Sequence, residues 1–318
     1  MGRYHQGTLI VSSSPHIMDN ITTTRIMLDV LIALIPAFIM SGFIFGPRAI
    51  LLTVTCVAAC VLFEAGFQYI TKKDSTITDL SAVVTGVLLA FNLPSSLPFW
   101  MAVIGSFVAI VVVKQIFGGI GQNFANPAIT ARVVLLVSFA TPMTTWPLPN
   151  KLLGTTDAVT GATPLGILNM GTDLSSLPSN MDLFLGFVGG SLGETSAIAL
   201  LIGGIYLLWR KIIEPWIPLA FIGTVFLFAL LAGQDPIFHI CAGGVMLGAF
   251  FMATDYTTSP HLTTGKIVFG IGCGLMTMII RLYGSYPEGV SFAILLMNIL
   301  TPQIDMLFRR KTYGGVKI

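Results

Sequence analysis

Apolar segments long enough to cross a lipid bilayer follow one another along almost the whole chain, and they constrain its fold more than any other feature. Of the 318 residues, 54% are hydrophobic and only 9% are charged, and the mean hydropathy is +0.88. A soluble domain has about 25% charged residues. Runs of about 17 to 25 apolar residues span the hydrocarbon as helices. The sequence therefore predicts an all-α integral membrane protein.

We expect about ten membrane-spanning helices. Their predicted bounds are 26–45, 49–70, 77–93, 97–117, 128–142, 195–209, 216–232, 237–253, 266–283 and 289–308. The predicted organisation is an N-terminal segment at 1–25, a first five-helix half at 26–142, an outer loop at 143–194, a second five-helix half at 195–308 and a tail at 309–318.

Basic residues collect on one predicted side of the membrane. With the N-terminus in the cytoplasm, only Arg48, Lys151 and Arg281 lie at outer ends or loops. The inner ends and loops hold the others, namely Arg3, Arg25, Lys72, Lys73, Lys114, Arg132, Arg210, Lys211, Lys266, Arg309, Arg310, Lys311 and Lys317. Because cytoplasmic loops are enriched in Lys and Arg, both termini are predicted to be cytoplasmic and the 143–194 loop to face outward. A net charge of +2 is too small and too scattered for a nucleic-acid-binding protein.

Glycine- and proline-rich interruptions occupy corresponding places in the two halves. One reads K114-Q-I-F-G-G-I-G-Q-N-F-A-N-P-A128, and the other reads R281-L-Y-G-S-Y-P-E-G-V-S-F-A293. Because an odd number of spans lies in each half, the second half is expected to be an inverted repeat of the first. Paired interruptions of this kind indicate a ligand site, since non-helical backbone at membrane depth must line a cavity or be buried in protein.

Polar side chains in the first interruption are suited to a ligand. Asn126 followed by Pro127 is typical of the N-cap and first residue of a helix. Asn123 and Asn126 carry amide donors and acceptors that match the edge of a polar ring. Alternatively, these asparagines only hold a re-entrant turn, and the pattern alone leaves both interpretations open.

Acidic residues also occur within or at the ends of predicted spans, where an ionised carboxylate costs a few kcal/mol and often indicates function. They are Asp29, Glu64, Asp79 and Asp305. Ion handling, helix capping and pairing between helices all remain open for each of them. Asp79 is expected to cap the third span, and Glu64 to face interior water. Arg281 is expected either to pair with an acid or to lie at the headgroup level.

The predicted outer loop contains a polar motif, Thr160-Gly161-Ala162-Thr163-Pro164. Small residues surround the hydroxyl of Thr163, and Pro164 biases Thr163 toward an extended backbone. That geometry is expected to expose the Thr163 side chain to an external enzyme. Taken alone, the motif is equally an ordinary turn in a loop.

Ordered motifs across nearly the whole chain resemble one family of membrane subunits. The family includes the D subunit of the Rnf complex, a ferredoxin:NAD oxidoreductase, and more distantly the B subunit of the sodium-pumping NADH:quinone reductase. The motifs are V11-S-S-S-P-H-I17, K114-Q-I-F-G-G-I-G-Q-N123, V159-T-G-A-T-P-L165, L208-W-R-K-I-I213, I280-R-L-Y-G-S-Y-P-E-G-V-S-F-A293, L295-L-M-N298 and Q303-I-D305.

The resemblance implies a covalent cofactor on the outer loop. It implies that FMN is joined to the hydroxyl of Thr163 by a phosphoester, within the S/T-G-A-T motif that Thr160, Gly161 and Ala162 complete. A flavin transferase would attach it outside the bacterial cytoplasmic membrane. The isoalloxazine ring would then carry the redox chemistry, and Thr163 would be an anchor rather than a catalytic group.

The resemblance also implies a second flavin and a coupled ion. A non-covalent riboflavin is expected near Gln122, Asn123 and Asn126. This chain departs from the family pattern there, with Phe124-Ala125 where many relatives have Pro-Phe. Glu64 and Asp305 correspond to family acids, which makes them candidates for coupling to Na⁺ or H⁺ movement.

The expected function is electron transfer between ferredoxin and NAD coupled to Na⁺ or H⁺ transport. The expected partners are other Rnf-type subunits, including a second FMN subunit and iron–sulfur subunits, which would hold the ferredoxin and NAD sites, together with the surrounding membrane lipid. The main alternative is a stand-alone small-solute channel or secondary transporter, because inverted halves with central breaks also describe such carriers. A purely structural scaffold is a further alternative. The T-G-A-T loop favours the flavin subunit, since a channel does not need it.

Overall fold

A computed structural model of the chain describes residues 22–147, 160–170, 177–194, 196–284 and 288–308. The side chains of Thr160 and Met170 lie outside the described part as well. The V11–I17 motif, most of the predicted N-terminal segment, the predicted tail and much of the predicted outer loop therefore lie outside the described residues.

Helices make up nearly all of the regular structure in the described residues. In chain order they are α1 (Thr23–Phe45), α2 (Pro47–Thr71), α3 (Ser81–Phe91), α4 (Phe99–Phe107), α5 (Pro127–Ser138), α6 (Ala140–Thr144), α7 (Pro164–Met170), α8 (Asn180–Leu185), α9 (Ala197–Trp209), α10 (Trp216–Leu231), α11 (Pro236–Cys241), α12 (Val245–Leu247), α13 (Thr263–Tyr283) and α14 (Val290–Phe308). Helix α4 continues as a π-helix at Val108–Gln115, and α12 continues as a π-helix at Gly248–Met252. A 3₁₀ turn at Ile77–Asp79 precedes α3, and two-residue strands β1 (Trp146–Pro147) and β2 (Thr160–Gly161) pair antiparallel.

Four of the described helices, α1, α2, α13 and α14, are long and apolar enough to cross a membrane. Shorter apolar helices, among them α3, α5, α9 and α10, lie between them in sequence. The predicted all-α membrane architecture is therefore confirmed. The number of ten spans and the inverted relation of the two halves stay predictions.

Helix α1 shows why these segments suit a bilayer. Large apolar side chains at helical spacing are exposed along one face, namely Leu28, Ile32, Ile35, Ile39 and Phe43. The opposite face is apolar too and is buried against the rest of the protein, at Ala33, Leu34, Ala37 and Ile44. A helix that is hydrophobic on all sides is typical of a membrane span, because lipid tails cover the face that protein does not.

The eighth predicted span, 237–253, is not one continuous helix. Helix α11 ends at Cys241, and α12 begins only at Val245. Gly243 and Gly244 have φ values of 65° and 75°, a left-handed backbone that favours glycine and interrupts the helical ladder. The predicted span is therefore a broken helix, because two adjacent glycines interrupt the helix and leave the run apolar. That this run crosses the membrane stays a prediction.

Arg281 satisfies the carbonyl groups that this break exposes. Its guanidinium nitrogens donate to the backbone oxygens of His239, at 2.6 Å, and of Ala242 and Gly243, at 2.7 and 3.2 Å. Arg281 is only 2% exposed, and in the described part of the chain its shortest hydrogen bonds go to backbone oxygens rather than to a carboxylate. An unpaired carbonyl in a bilayer costs several kcal/mol, which explains why a buried cation is kept at this position.

The C-terminal end of α3 is closed by a different segment. The N–H groups of Leu192 and Gly193 donate to the carbonyl oxygens of Leu93 and Phe91, at 3.1 and 2.9 Å. Position 193 requires glycine, since a Cβ there would lie 2.4 Å from the Cβ of Phe91. The chain just before α9 therefore packs against the end of α3, and it brings Glu194 into the protein interior.

Candidate functional site

The structure places Thr163 at the start of a short helix, with its side chain turned inward. Strand β2 precedes it and pairs with β1, with Gly161 opposite Trp146, and the Gly166 N–H donates to Thr163 Oγ1 at 3.1 Å. Thr163 is 7% exposed, whereas the sequence predicted a side chain held out to solvent. Leu165 explains why Thr163 is buried. Its side chain packs in a small apolar cluster with Leu183 and Phe238, which docks α7 against the rest of the fold. Ala162 remains exposed.

The space beside Thr163 is too small for a flavin. A cavity of about 20 Å³ lies against Thr163, Glu194, Glu288 and Gly243. Such a volume holds about one water molecule. The hydroxyl has the right chemistry for a phosphoester, and the neighbouring residues Gly161 and Ala162 are small. With α7 in this position, however, the described residues around Thr163 do not make room for the ring system.

A buried ion cluster lies directly beneath this loop. Arg132, in α5, is 4% exposed and donates to the carboxylates of Glu194 and Glu288 and to the side-chain oxygen of Asn92 at 2.8 Å. Through these contacts Arg132 connects α5 to three other parts of the fold. Asn92 lies at the end of α3, Glu194 in the segment before α9, and Glu288 just before α14. The sequence counted Arg132 among the basic residues of the inner ends and loops, and the structure shows that its charge is matched inside the fold.

Glu194 and Glu288 were missed as candidate site residues. Both acids adjoin glycines that interrupt helices, in the pairs Gly193–Glu194 and Glu288–Gly289. A carboxylate beside such a break is a usable signal, because interrupted backbone at membrane depth is already a mark of a site. Only the fold shows that both acids face one arginine.

A second and much larger cavity adjoins the first interruption. It has a volume of about 390 Å³, and its polar lining includes Ser81, Lys114, Asn123 and Asp255. Apolar side chains form most of the remaining wall, among them Ile26, Val30, Leu88, Phe250 and Phe251. Small-molecule sites have volumes of about 300 to 1,000 Å³, apolar walls and a few placed polar groups, and this cavity has all three properties. We call it the Asn123 cavity.

The two asparagines of the interruption have different roles. Asn126 is the predicted N-cap of α5, which is confirmed, since its side-chain oxygen accepts from the N–H groups of Ala128 and Ile129. Its amide nitrogen donates to the backbone oxygen of Met252 at 3.3 Å, so these contacts hold the turn, and Asn126 also lines the cavity. Asn123 donates to the Thr257 hydroxyl at 3.1 Å. Its buried Oδ1 atom has no partner among the described residues, which leaves it free for a ligand. Gln122 is exposed.

Glu64 is completely buried and paired, rather than facing interior water. The Lys114 ammonium lies 3.0 and 2.9 Å from its two carboxylate oxygens, and Gln115 donates to it at 2.9 Å. Lys114, in the π-helix that continues α4, is itself 3% exposed. The structure therefore places Glu64 behind the wall of the Asn123 cavity.

The other predicted acids have separate environments. Asp305 accepts the backbone N–H of His261 at 3.1 Å, and Asp29 accepts from Tyr206 and Arg210, both at 2.9 Å. Asp79 accepts the N–H of Ser81, the first residue of α3, at 2.8 Å, although the N-cap position itself is Leu80. Glu64 and Asp305 share none of these partners, so they do not form one site.

Asp255, which the sequence did not indicate, also faces the Asn123 cavity. Burial raises the pKa of its carboxyl group, while hydrogen bonds from Thr257 and Thr258 act in the opposite direction. Those hydroxyls lie 3.0 and 3.2 Å from Asp255 Oδ2. The wall of the Asn123 cavity therefore carries an acid, Asp255, as well as the Lys114 cation.

Comparison with known proteins identifies the family. The model of the NQR2, RnfD, RnfE family matches residues 10–314, and the chain belongs to this family. It is 54% identical to the D subunit of the Na⁺-translocating ferredoxin:NAD⁺ oxidoreductase complex of Acetobacterium woodii, covering 98% of this chain and 96% of the relative. It is 43% identical to the D subunit of the proton-translocating ferredoxin:NAD⁺ oxidoreductase complex of Clostridium ljungdahlii, covering 96% of each chain.

Proposed function

We propose that the chain is a membrane subunit of an ion-translocating ferredoxin:NAD⁺ oxidoreductase complex. The observation that carries this proposal is 54% identity to a subunit of such a complex over nearly the full length of both chains. Relatives of this chain are named for sodium and for proton transport, so the cation is left open. Deleting the chain should abolish ferredoxin-dependent NAD⁺ reduction by membranes. Solute flux through the chain alone in liposomes, with that activity intact after deletion, would favour the channel or transporter instead.

Within this function, Thr163 is the anchor of a covalent FMN. The Thr160-Gly161-Ala162-Thr163 motif supports it, as does the position of Thr163 beside the glycine break of span eight and the buried acids Glu194 and Glu288. Attachment requires α7 to leave its docked position, because the Thr163 hydroxyl is enclosed. The transferase therefore acts while α7 is undocked, either before α7 first packs against the fold or during a later opening.

A denaturing gel tests this anchor. The chain co-expressed with a flavin transferase should show a fluorescent flavin band that disappears in Thr163→Ala. Thr160→Ala is the matched control, since it alters the same motif and keeps the anchor hydroxyl. A band that persists in Thr163→Ala would move the anchor to another residue, and a dark parent chain would rule out covalent flavin.

The Asn123 cavity is the proposed site of a non-covalent flavin. Its volume, its apolar walls and the unpartnered Oδ1 atom of Asn123 support this assignment. Asn123 would accept a hydrogen bond from the polar edge of a flavin ring, and the apolar side chains would cover the ring faces. Native extraction should release riboflavin from the parent and much less from Asn123→Leu.

The ferredoxin and NAD sites are assigned to partner subunits, including the iron–sulfur subunits and a second FMN subunit. In the proposed orientation, in the cytoplasmic membrane, both termini are inside and the loop is outside. Arg132, Lys114 and Arg281 are buried, yet removing them from the charge comparison leaves the inner side with the excess of basic residues. A membrane-impermeant thiol reagent should label a cysteine introduced at position 173 and spare one at position 315. The reverse labelling would invert the topology.

A further inference from the structure

The Glu64–Lys114 ion pair separates the Asn123 cavity from an exposed loop. On the cavity side, Lys114 and Ser81 both line the wall, and the Lys114 ammonium lies 2.6 Å from Ser81 Oγ. Glu64 lies directly behind them with no exposed surface. A charge placed in the cavity therefore meets the Lys114 cation before it meets the Glu64 carboxylate.

On the other side, Thr76 and Gln68 lie between Glu64 and the surface. Thr76 is exposed, and its hydroxyl donates to Glu64 Oε1 at 3.0 Å. The Gln68 amide nitrogen lies 2.6 Å from the Thr76 hydroxyl and 3.4 Å from Glu64 Oε1. A small cation entering from the loop between α2 and α3 would thus reach the Glu64 carboxylate by displacing these two donors, without crossing the cavity.

Lysine is suited to move between two partners at this position. Its ammonium is a compact charge on a flexible four-carbon stem with three equivalent donors. In a low-dielectric interior, the ammonium follows the strongest nearby negative charge, because Coulomb attraction is several times stronger there than in water. Lys114 also belongs to a π-helix, a form of helix that is frequent at functional sites.

We propose that Lys114 links the charge in the Asn123 cavity to cation binding at Glu64. One electron arrives from the partner subunits and adds one negative charge to the ligand in the cavity. Lys114 turns from Glu64 toward that charge, and one Na⁺ or H⁺ enters past Thr76 to compensate Glu64. When the electron passes on, Lys114 returns to Glu64 and the cation is released. This inference rests on the proposed flavin in the cavity.

The other ionisable groups near this pair are few in the described chain. Cys60, one turn before Glu64 in α2, faces both members of the pair. Asp79 accepts a hydrogen bond from the Ser81 hydroxyl, which Lys114 also contacts, and Asp255 and Tyr256 line the cavity. In the described chain, the ionisable group in direct contact with the Lys114 ammonium is its pair partner, the Glu64 carboxylate.

The test is a redox titration of the cavity flavin in the purified complex, using Glu64→Gln, Glu64→Gln/Lys114→Met and Lys114→Arg. The cavity flavin is identified as the signal that the Asn123→Leu complex lacks. The double variant replaces a buried ion pair by neutral side chains, so it avoids the lone buried carboxylate that Lys114→Met alone would leave. Lys114→Arg keeps the positive charge and is the conservative control.

In the parent, the midpoint potential should rise with the concentration of the coupled cation, by up to about 59 mV per tenfold change for one electron and one cation. Glu64→Gln should raise the midpoint and remove this dependence, because Lys114 then faces the cavity permanently. The midpoint potential of the double variant should be lower than that of Glu64→Gln, while Lys114→Arg should keep the dependence of the midpoint on cation concentration. Such results would support the link.

Two outcomes overturn the inference, and they differ in what else they refute. Equal midpoints in Glu64→Gln and the double variant would show that the cavity does not sense Lys114, while the flavin site itself would stand. A complex whose flavin signals are all unchanged by Asn123→Leu would refute the cavity as a flavin site, and the role of Lys114 with it.

Discussion

The Thr163 site and the Asn123 cavity differ in almost every physical property. The first is an enclosed space of about 20 Å³ above an arginine and two glutamates. The second is a largely apolar space of about 390 Å³ in which Asn123 has a free acceptor. The cavity thus has room for a ligand as it stands, whereas the space beside Thr163 does not. The proposed covalent bond suits such a site, since it would keep the cofactor attached while the loop moves.

Removing Arg132, the central cation of the ion cluster, should cause the largest loss of stability, and this loss should arise on the Thr163 side. Arg132→Met leaves Glu194 and Glu288 buried without their partner, which costs about 3–5 kcal/mol. Unfolding in detergent should show a correspondingly large loss of stability. Lys266→Met is the control, because the Lys266–Glu214 pair is partly exposed and is worth about 0–1 kcal/mol. Similar losses in both variants would mean that the cluster does not hold the fold together.

Undocking α7 should separate the two sites next. Leu165→Ala removes a side chain that is 2% exposed, and such truncations cost about 2–5 kcal/mol. The Thr163 hydroxyl should then be open more often, so flavin attachment should become faster in a timed gel assay, while riboflavin content stays constant. Leu219→Ala, at a side chain 65% exposed, should change neither. Slower attachment in Leu165→Ala would show that the transferase recognises the docked loop.

The asparagines of the interruption offer a smaller and more selective test. Asn126→Ala removes an N-cap and should cost about 0.5–2 kcal/mol of stability. Asn123→Ala should lower the riboflavin content at nearly unchanged stability, because its Oδ1 atom has no partner among the described residues. Thermal unfolding and flavin extraction measure the two effects. If Asn126→Ala alone lost riboflavin, the roles of the two residues would be exchanged.

The smallest expected effect is a pH dependence at the cavity wall. Burial raises the pKa of Asp255, so the folded state binds the proton more tightly than the unfolded state does. Stability therefore falls as pH rises from the unfolded pKa, about 3.9, through the raised folded pKa. Asp255→Asn should remove this loss, and it should gain stability relative to the parent at pH 8 but not at pH 4. A constant difference across that range would contradict the assignment.

Local sequence rules predicted the helices and their starts well. The Asn126–Pro127 start of α5 and the Asp79 contact at the start of α3 follow from residues within three positions of each other. The lipid-facing stripe of α1 follows from helical spacing alone. These features depend on one segment at a time, which is why a single sequence suffices for them.

The contacts that define the two sites were not predictable in the same way. Arg132 meets Glu288 across 156 positions, and Lys114 meets Glu64 across 50. In both cases the sequence only counted the basic residue among the cations of the inner ends and loops, because charge counting cannot distinguish an exposed cation from a buried partner. Thr163 was expected to be exposed for a related reason, since the docking of Leu165 on Phe238 and Leu183 depends on distant segments.

Covalent attachment of FMN to Thr163 is tested most directly by peptide mass spectrometry on the complex purified from cells that contain the flavin transferase. The peptide containing Thr163 should carry one FMN, with Thr163 itself as the modified residue in the fragment spectrum. The modified fraction should also be higher in Leu165→Ala after a short expression period. An unmodified Thr163 peptide in a complex that is active in ferredoxin-dependent NAD⁺ reduction would contradict the account.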